Sequence, residues 1–437
     1  MAMNVFHGAD QIRHLLRRHA APVGNSAADL DGLVDLAGDA EIVMLGTPSQ
    51  GMREANELRL ELSRRLIIER GFHAVATDGD WLEARSLDRF ARGGVESWEC
   101  SGFPAWHWDN PGMRDFAGWL RETNRRRVDG GVGVYGLDVF GLHRSMNGIV
   151  GLLGGVDAAL AARVTRLYGG IDRFGRDPQN YGLLPVGGVG DEIRGLLVDG
   201  LAERWARDAA GLRSDESTAV DGDFIRKWNG RMEGEAWRYF RAMFRSYASS
   251  WNHRCLAMMR VIESLAAHLR ETRGAVRIIV WAHNSLVGDA RATELSWRGE
   301  ISLGALARDR FGERCRLVGC TSHSGRVTAA AEWMGRPVSQ KVPVAPEGSC
   351  ERLFHRLGLP AFWLDLSRAD EVAEILAKPR LQRGIGPVYR PSHGTRVNWF
   401  SAMCSAQFDA LVHFDRTNPV AAPITVPGSK RGHTVAT

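Results

Sequence analysis

The segment Gly46-Thr47-Pro48-Ser49-Gln50-Gly51 is a polar, glycine-bounded turn between the apolar run Ile42-Val43-Met44-Leu45 and a helix-patterned stretch from Met52 to Arg70. A strand, a turn and a helix in that order is where an α/β enzyme presents its chemistry. Four ionisable residues, Asp78, His283, Glu54 and Asp138, are the candidates for catalysis by proton transfer, because carboxylates and imidazole can be tuned toward neutrality by their surroundings. Arg59 and Arg291 carry the guanidinium fork that holds an anionic group by paired hydrogen bonds. Thr47, Gln50 and Asn284 add neutral donors and acceptors, and Trp81, Trp106 and Trp108 have the flat apolar surface that walls a pocket for an apolar or sugar-bearing molecule. Each has a structural reading beside the functional one: an ion pair for Arg59 and Glu54, a cap for Asp138, core packing for the tryptophans. Asp78 is the preferred base, and His107, between two tryptophans, reads as a local feature.

These residues need a scaffold, and the sequence describes one. Short apolar, β-rich runs at Glu41–Gly46, His73–Asp78, Val132–Asp138, Val276–His283, Cys315–Thr321, Ala361–Leu366 and Asp409–Phe414 alternate with helical patterns. That alternation predicts an α/β fold, a mostly parallel central sheet flanked by helices. The carboxyl ends of these runs carry Gln50, Asp78, Asp138, His283, His323, Asp365 and His413, which a parallel sheet gathers along one edge, where open α/β sheets bind ligands. The mainly helical stretch from 142 to 273, broken by Val186-Gly187-Gly188-Val189-Gly190, reads as an inserted helical subdomain or lid. It divides the α/β core into 1–141 and 274–423, and leaves 424–437 as a loose tail.

Composition narrows the class further. With 437 residues, 44% hydrophobic and 24% charged, the chain can bury an ample core. The net charge of +5 comes from Lys and Arg interleaved with Asp and Glu, and Arg125-Arg126-Arg127 reads as a solvated helix end, so no nucleic-acid partner is expected. No run reaches membrane-spanning length and Met1 to Arg18 lacks an uninterrupted apolar region, which points to a cytoplasmic protein without a membrane partner. The six cysteines are dispersed and read as reduced; no metal-ligand set and no cofactor motif stands out. Thr321-Ser322-His323-Ser324-Gly325 lacks the spacing of a nucleophile elbow. The partner expected is a small-molecule metabolite.

The chain resembles the erythromycin esterase family, on Glu54, Leu58, Arg59 and Gly71-Phe72; Asp80-Trp81; Phe103-Pro104 with Trp106, Trp108 and Asn110; and Tyr135-Gly136-Leu137-Asp138. Further matches are Trp251-Asn252, Trp281-Ala282-His283-Asn284-Ser285, Gly288-Asp289-Ala290-Arg291 and Tyr389-Arg390-Pro391. The departures fall on positions that the resemblance associates with catalysis. Where the family usually carries Gly-Glu-x-x-His-Gly, with the Glu and His taken to activate water, this chain has Thr47 and Gln50. Asp78 shortens a usual Glu, Leu286 replaces a His, Cys255 and Ala257 replace an Asp and a His, Asp109 an Arg and Asn398 a His.

An amide donates and accepts hydrogen bonds but takes no proton near neutral pH, and loss of a general base commonly costs about 10²- to 10⁴-fold in rate. Three expectations follow. The first is a repurposed enzyme of natural-product assembly in which the substrate supplies its own nucleophile: an intramolecular substitution that closes a ring, small strained rings included, with loss of an anionic leaving group. Asp78 would then remove the proton, while Arg59, Gln50 and His283 steady the departing group. The second is a carboxylic-ester hydrolase with altered residues, and the third a non-catalytic metabolite-binding or resistance protein.

Overall fold

The computed structural model describes residues 8–24, 26–98, 100, 105–138, 221–243, 246–332, 335–368, 370–391 and 398–421. Eleven strands are described: β1 Ala21–Pro22, β2 Ile42–Thr47, β3 Ala74–Asp80, β4 Gly133–Asp138, β5 Ile278–His283, β6 Cys315–Ala330, β7 Pro337–Val342, β8 Ala361–Asp365, β9 Arg380–Arg383, β10 Trp399–Ala402 and β11 Ala410–Thr417. Nine of them form one sheet in the order β1-β8-β11-β6-β2-β5-β3-β4, with β7 paired to the far half of β6. From β11 to β4 the neighbours run parallel, as the alternation of strand and helix requires.

The central strands are apolar on both faces because helices cover both. In β2, Ile42 and Met44 point into one core and Val43 and Leu45 into the other. The helix Tyr247–Arg273 packs its Val261, Ile262 and Leu265 into the first core, and the helices Arg53–Glu69 and Pro111–Arg125 pack Leu60, Leu66, Met113 and Phe116 into the second. Pro111 opens its helix at a position where a missing N–H costs nothing, and the Asn110 side chain caps it by accepting from the Met113 N–H at 3.1 Å.

The sheet differs from the sequence expectation in two places. β8 runs antiparallel to β11, so Asp365 ends on the opposite edge from the carboxyl ends of β2, β3 and β5; an apolar run carries no mark of its direction. β6 continues past Thr321 to Ala330 and turns back as β7, which sets His323 within a strand. Of the stretch read as a helical subdomain, residues 221–243 and 246–273 are described, as the helices Gly222–Met243 and Tyr247–Arg273 packed on each other and on β4. The rest, with Val186–Gly190 and the tail 424–437, lies outside the described residues. Among the described residues no helix is long and apolar enough to cross a membrane.

Candidate active site

The chain reverses direction across the sheet at β2. β3 and β4 lie to one side with β5 inserted between β2 and β3, while β6 and β11 lie to the other. The carboxyl ends of strands at such a reversal leave a crevice in which α/β folds bind ligands. Three devices fix what projects into it.

The first is close approach. The loop after β2 is pinned by the Ile385 N–H donating to the Pro48 carbonyl at 2.9 Å and by the Thr328 N–H donating to the Gly51 carbonyl at 3.0 Å. A Cβ on Gly51 would stand 1.7 Å from the Thr328 oxygen, so only glycine lets the β6–β7 hairpin press on this turn. The second is a bulge. Thr77 pairs with Gly136 but Asp80 with Asp138, which leaves Asp78 and Gly79 facing one residue of β4. Bulges re-aim side chains, and here the Asp78 carboxylate turns toward β5, where its Oδ2 accepts the His283 backbone N–H at 3.0 Å and the Gln50 side-chain amide at 3.3 Å. The third is the short helix Ala105–Trp108, tied to the Asn110 cap by the Asn110 amide donating to the Trp106 and His107 carbonyls at 3.1 and 3.0 Å. It lays the His107 ring beside Asp78, with Nδ1 at 3.0 Å from the Gln50 carbonyl and Nε2 at 3.8 Å from Asp78 Oδ1.

The outcome is a set of buried polar atoms without hydrogen-bond partners in the protein: Gln50 Oε1, Asp78 Oδ1 and His107 Nε2, whose side chains meet at Asp78, with Thr47 Oγ1 at the end of β2 and Nε and Nη1 of Arg59. Buried polar groups are normally paired, and a cluster of unpaired ones marks a place built to meet something else. Arg59 is 2% exposed, lies 4.8 Å from the Trp281 ring and 6.0 Å from that of Trp108, and donates through Nη2 to Asn56 Oδ1 at 2.7 Å. Burial pulls its guanidinium down to about 10, which still leaves it cationic at neutral pH. Burial alone would push the Asp78 carboxyl up, but His107, Arg254 and Arg59 outweigh it and hold it below the ordinary carboxylate range. His107 is likewise held below a free imidazole, because burial and the Arg59 charge disfavour its cation more than Asp78 and the Gln50 carbonyl favour it. At neutral pH the cleft therefore holds an ionised carboxylate, a neutral imidazole and a guanidinium.

Other residues singled out from sequence lie elsewhere or are already engaged. Both His283 ring nitrogens are taken by the protein: Nδ1 accepts from the Ser285 N–H at 3.2 Å, so Nε2 carries the proton and donates to the Pro48 carbonyl at 3.2 Å. Its contribution is to hold Asp78 by its backbone and the loop by its ring. Asp138 is wholly buried and takes a forked contact from Arg254, at 3.1, 3.1 and 2.6 Å. Glu54 joins the start of its helix to the end of β11, accepting from Thr417 Oγ1 and from the Asn418 backbone and amide at 2.9, 2.9 and 2.8 Å. Arg291 binds Asp289 and Asp309 at 2.7 Å each, with its side chain 56% exposed. Asn284 stitches β5 to β6 through the Cys320 backbone. Trp81 packs on Phe224 and Trp228, Trp106 is buried, and Trp108 meets the His107 ring at 4.1 Å. Sequence reasoning passed over His107 and Arg254; the tie from Asn110 to the 105–108 turn was the available signal for the former.

The family's model matches residues 67–417, most of the chain, under the description erythromycin esterase. The chain belongs to the erythromycin esterase family. The matched span begins after the Gly46–Gly51 loop. Three solved structures share the fold. A succinoglycan biosynthesis protein superposes with a TM-score of 0.74 at 18% identity, over 96% of this chain and 99% of that one. A Bacillus cereus protein gives 0.73 at 20% identity, over 95% and 99%. A mutant of the erythromycin esterase EreC in its open conformation gives 0.63 at 15% identity, over 92% and 96%. Leu286, Cys255 and Ala257 are packed into the apolar core. Among the described residues no three His, Cys, Asp or Glu side chains are grouped to hold a metal ion.

Proposed function

We propose that this chain is a non-hydrolytic member of its family, an enzyme of natural-product assembly that closes a ring by intramolecular substitution with loss of an anionic leaving group. The observation that carries the reading is the Gln50 side chain, which donates its amide to Asp78 at 3.3 Å and which, on the resemblance, takes the place of a water-activating His. An amide in that bond orients a carboxylate and cannot accept a proton from water. Water is then not activated by residue 50, and a substrate that carries its own nucleophile needs only to be held in reach, for which positioning supplies about 7–11 kcal/mol. Arg59, a buried cation with two N–H-bearing nitrogens unpaired, suits the departing anion.

The test is mass spectrometry of small-molecule extracts from the producing organism, incubated with and without the purified protein in heavy-oxygen water. Loss of an acid from a metabolite without uptake of label is the expected result; one labelled oxygen in the product would return the chain to ester hydrolysis. That second reading has one observation in its favour, the His107 imidazole beside Asp78. It predicts strong ester cleavage that Gln50→His with Thr47→Glu barely changes.

A further inference from the structure

We propose that His107, through Nε2, is the proton acceptor of this cleft, that Asp78 is its counter-charge, and that the substrate presents an amine or hydroxyl to the pair. This assignment rests on the reading of the cleft above and replaces Asp78 as the base.

The tautomer is set by the backbone. The Gln50 carbonyl 3.0 Å from Nδ1 only accepts, so Nδ1 carries the proton and Nε2 presents a lone pair. That lone pair and Asp78 Oδ1, 3.8 Å apart, are buried acceptors without partners, and a single N–H or O–H placed between them satisfies both. Gln50 Oε1 is a further unpartnered acceptor on a side chain that meets Asp78, and Arg254 and Arg59 are the guanidiniums that act on that carboxylate. The cleft thus has complementary parts, acceptors for a nucleophile's proton and a guanidinium for an anion.

The step balances within the substrate and His107. As the amine nitrogen or hydroxyl oxygen forms its bond to carbon, the leaving group departs with the electron pair of its own bond. The proton of the nucleophile passes to Nε2, and the imidazolium so formed lies against the Asp78 carboxylate. A neutral imidazole at rest is the state a proton acceptor needs, and an adjacent carboxylate stabilises the cation that follows. Asp78 itself is held ionised and below the ordinary range, which suits a counter-charge better than a base. The charged and titratable groups around His107 are Asp78 on β3, Arg59 on the helix Arg53–Glu69, Arg254 on the helix Tyr247–Arg273 and His283 at the end of β5.

The experiment needs no substrate. The full chain is labelled with nitrogen-15 histidine, and His107 is assigned by its loss in His107→Gln. At pH 7 the expected signals are a protonated Nδ1 and an unprotonated Nε2. Asp78→Asn should move protonation of His107 to lower pH by about one unit or more, or out of the folded range, and Arg59→Gln should move it to higher pH. A proton on Nε2 at pH 7 overturns the proposal, whether or not the Asp78 variant folds; so does an Arg59→Gln variant that titrates at lower pH. In the extract incubation, His107→Gln should lower product formation about 10²- to 10⁴-fold. Label uptake by wild type together with the expected tautomer would remove ring closure and keep the proton acceptor. An unlabelled product together with a doubly protonated His107 would do the reverse.

Discussion

Asp78 and Asp138 lie near the carboxyl ends of adjacent parallel strands, both buried, and the protein treats them in opposite ways. Asp138 receives the forked guanidinium of Arg254, and the two form a closed charge pair. Asp78 receives one backbone N–H and one amide on Oδ2 and keeps Oδ1 unpaired toward His107. The one carboxylate is part of the frame, and the other is the feature that the frame supports. Burial and strand-end position are common to the two acids, and the accounting of lone pairs is what separates them.

The largest effect should come from opening the closed pair. Arg254→Met removes the guanidinium that faces the buried Asp138 charge and is expected to cost about 3–5 kcal/mol in chemical denaturation. Asp78→Asn should do the converse, because an amide oxygen can still accept the His283 N–H. Its unfolding free energy is expected to stay within about 1 kcal/mol of wild type, while product formation in the extract assay falls by about 10²-fold or more. Intact turnover in that variant would end any role for Asp78.

The third expectation concerns pH. The folded-state pKa of Asp78 is depressed, so the stability its ionisation contributes is present above the unfolded value, near 3.9 for a free aspartate, and is lost as pH falls through the folded value. Melting temperatures of wild type and Asp78→Asn should therefore converge below about pH 4, with wild type gaining relative to the variant as pH rises. A gap independent of pH between 3 and 7 would contradict an ionised Asp78. The smallest effect is expected at Arg291, whose side chain is half exposed and whose buried partner Asp289 also faces Arg308. Arg291→Gln should change stability by less than about 1 kcal/mol and leave product formation unaltered; a marked loss of product would bring Arg291 back into the site.

Much of this architecture was legible in the sequence. The apolar runs fell within a few residues of β2, β3, β4, β5, β8 and β11, because a strand buried on both faces writes itself as a continuous hydrophobic segment between turn residues. The two-residue β1 and the more exposed β7 wrote no such run, and neither did β9 and β10, which form their own two-stranded sheet. The Gly46–Gly51 loop and Asp78 were legible as a site through turn chemistry and strand-end position. Asp138 and His283 also end their strands, and Glu54 and Arg291 looked equally available, so only the count of hydrogen bonds separated these four from Asp78.

By itself the sequence determined the strand–turn–helix that carries Gln50, the identity of a family member without the usual Glu and His, and a core large enough to bury charge. The first and the third follow from periodicity and local turn preference, which act over a few residues; the second is a resemblance, carried by residue identities spread along the chain. Tertiary structure alone decided that β8 runs against its neighbour, that Arg254 closes on Asp138, and that a bulge in β3 and the capped turn at 105–108 bring Asp78 and His107 within 3.8 Å. Those pairings join residues far apart in the chain, and they are fixed by which helix docks on which face of the sheet, a choice made by the whole core at once.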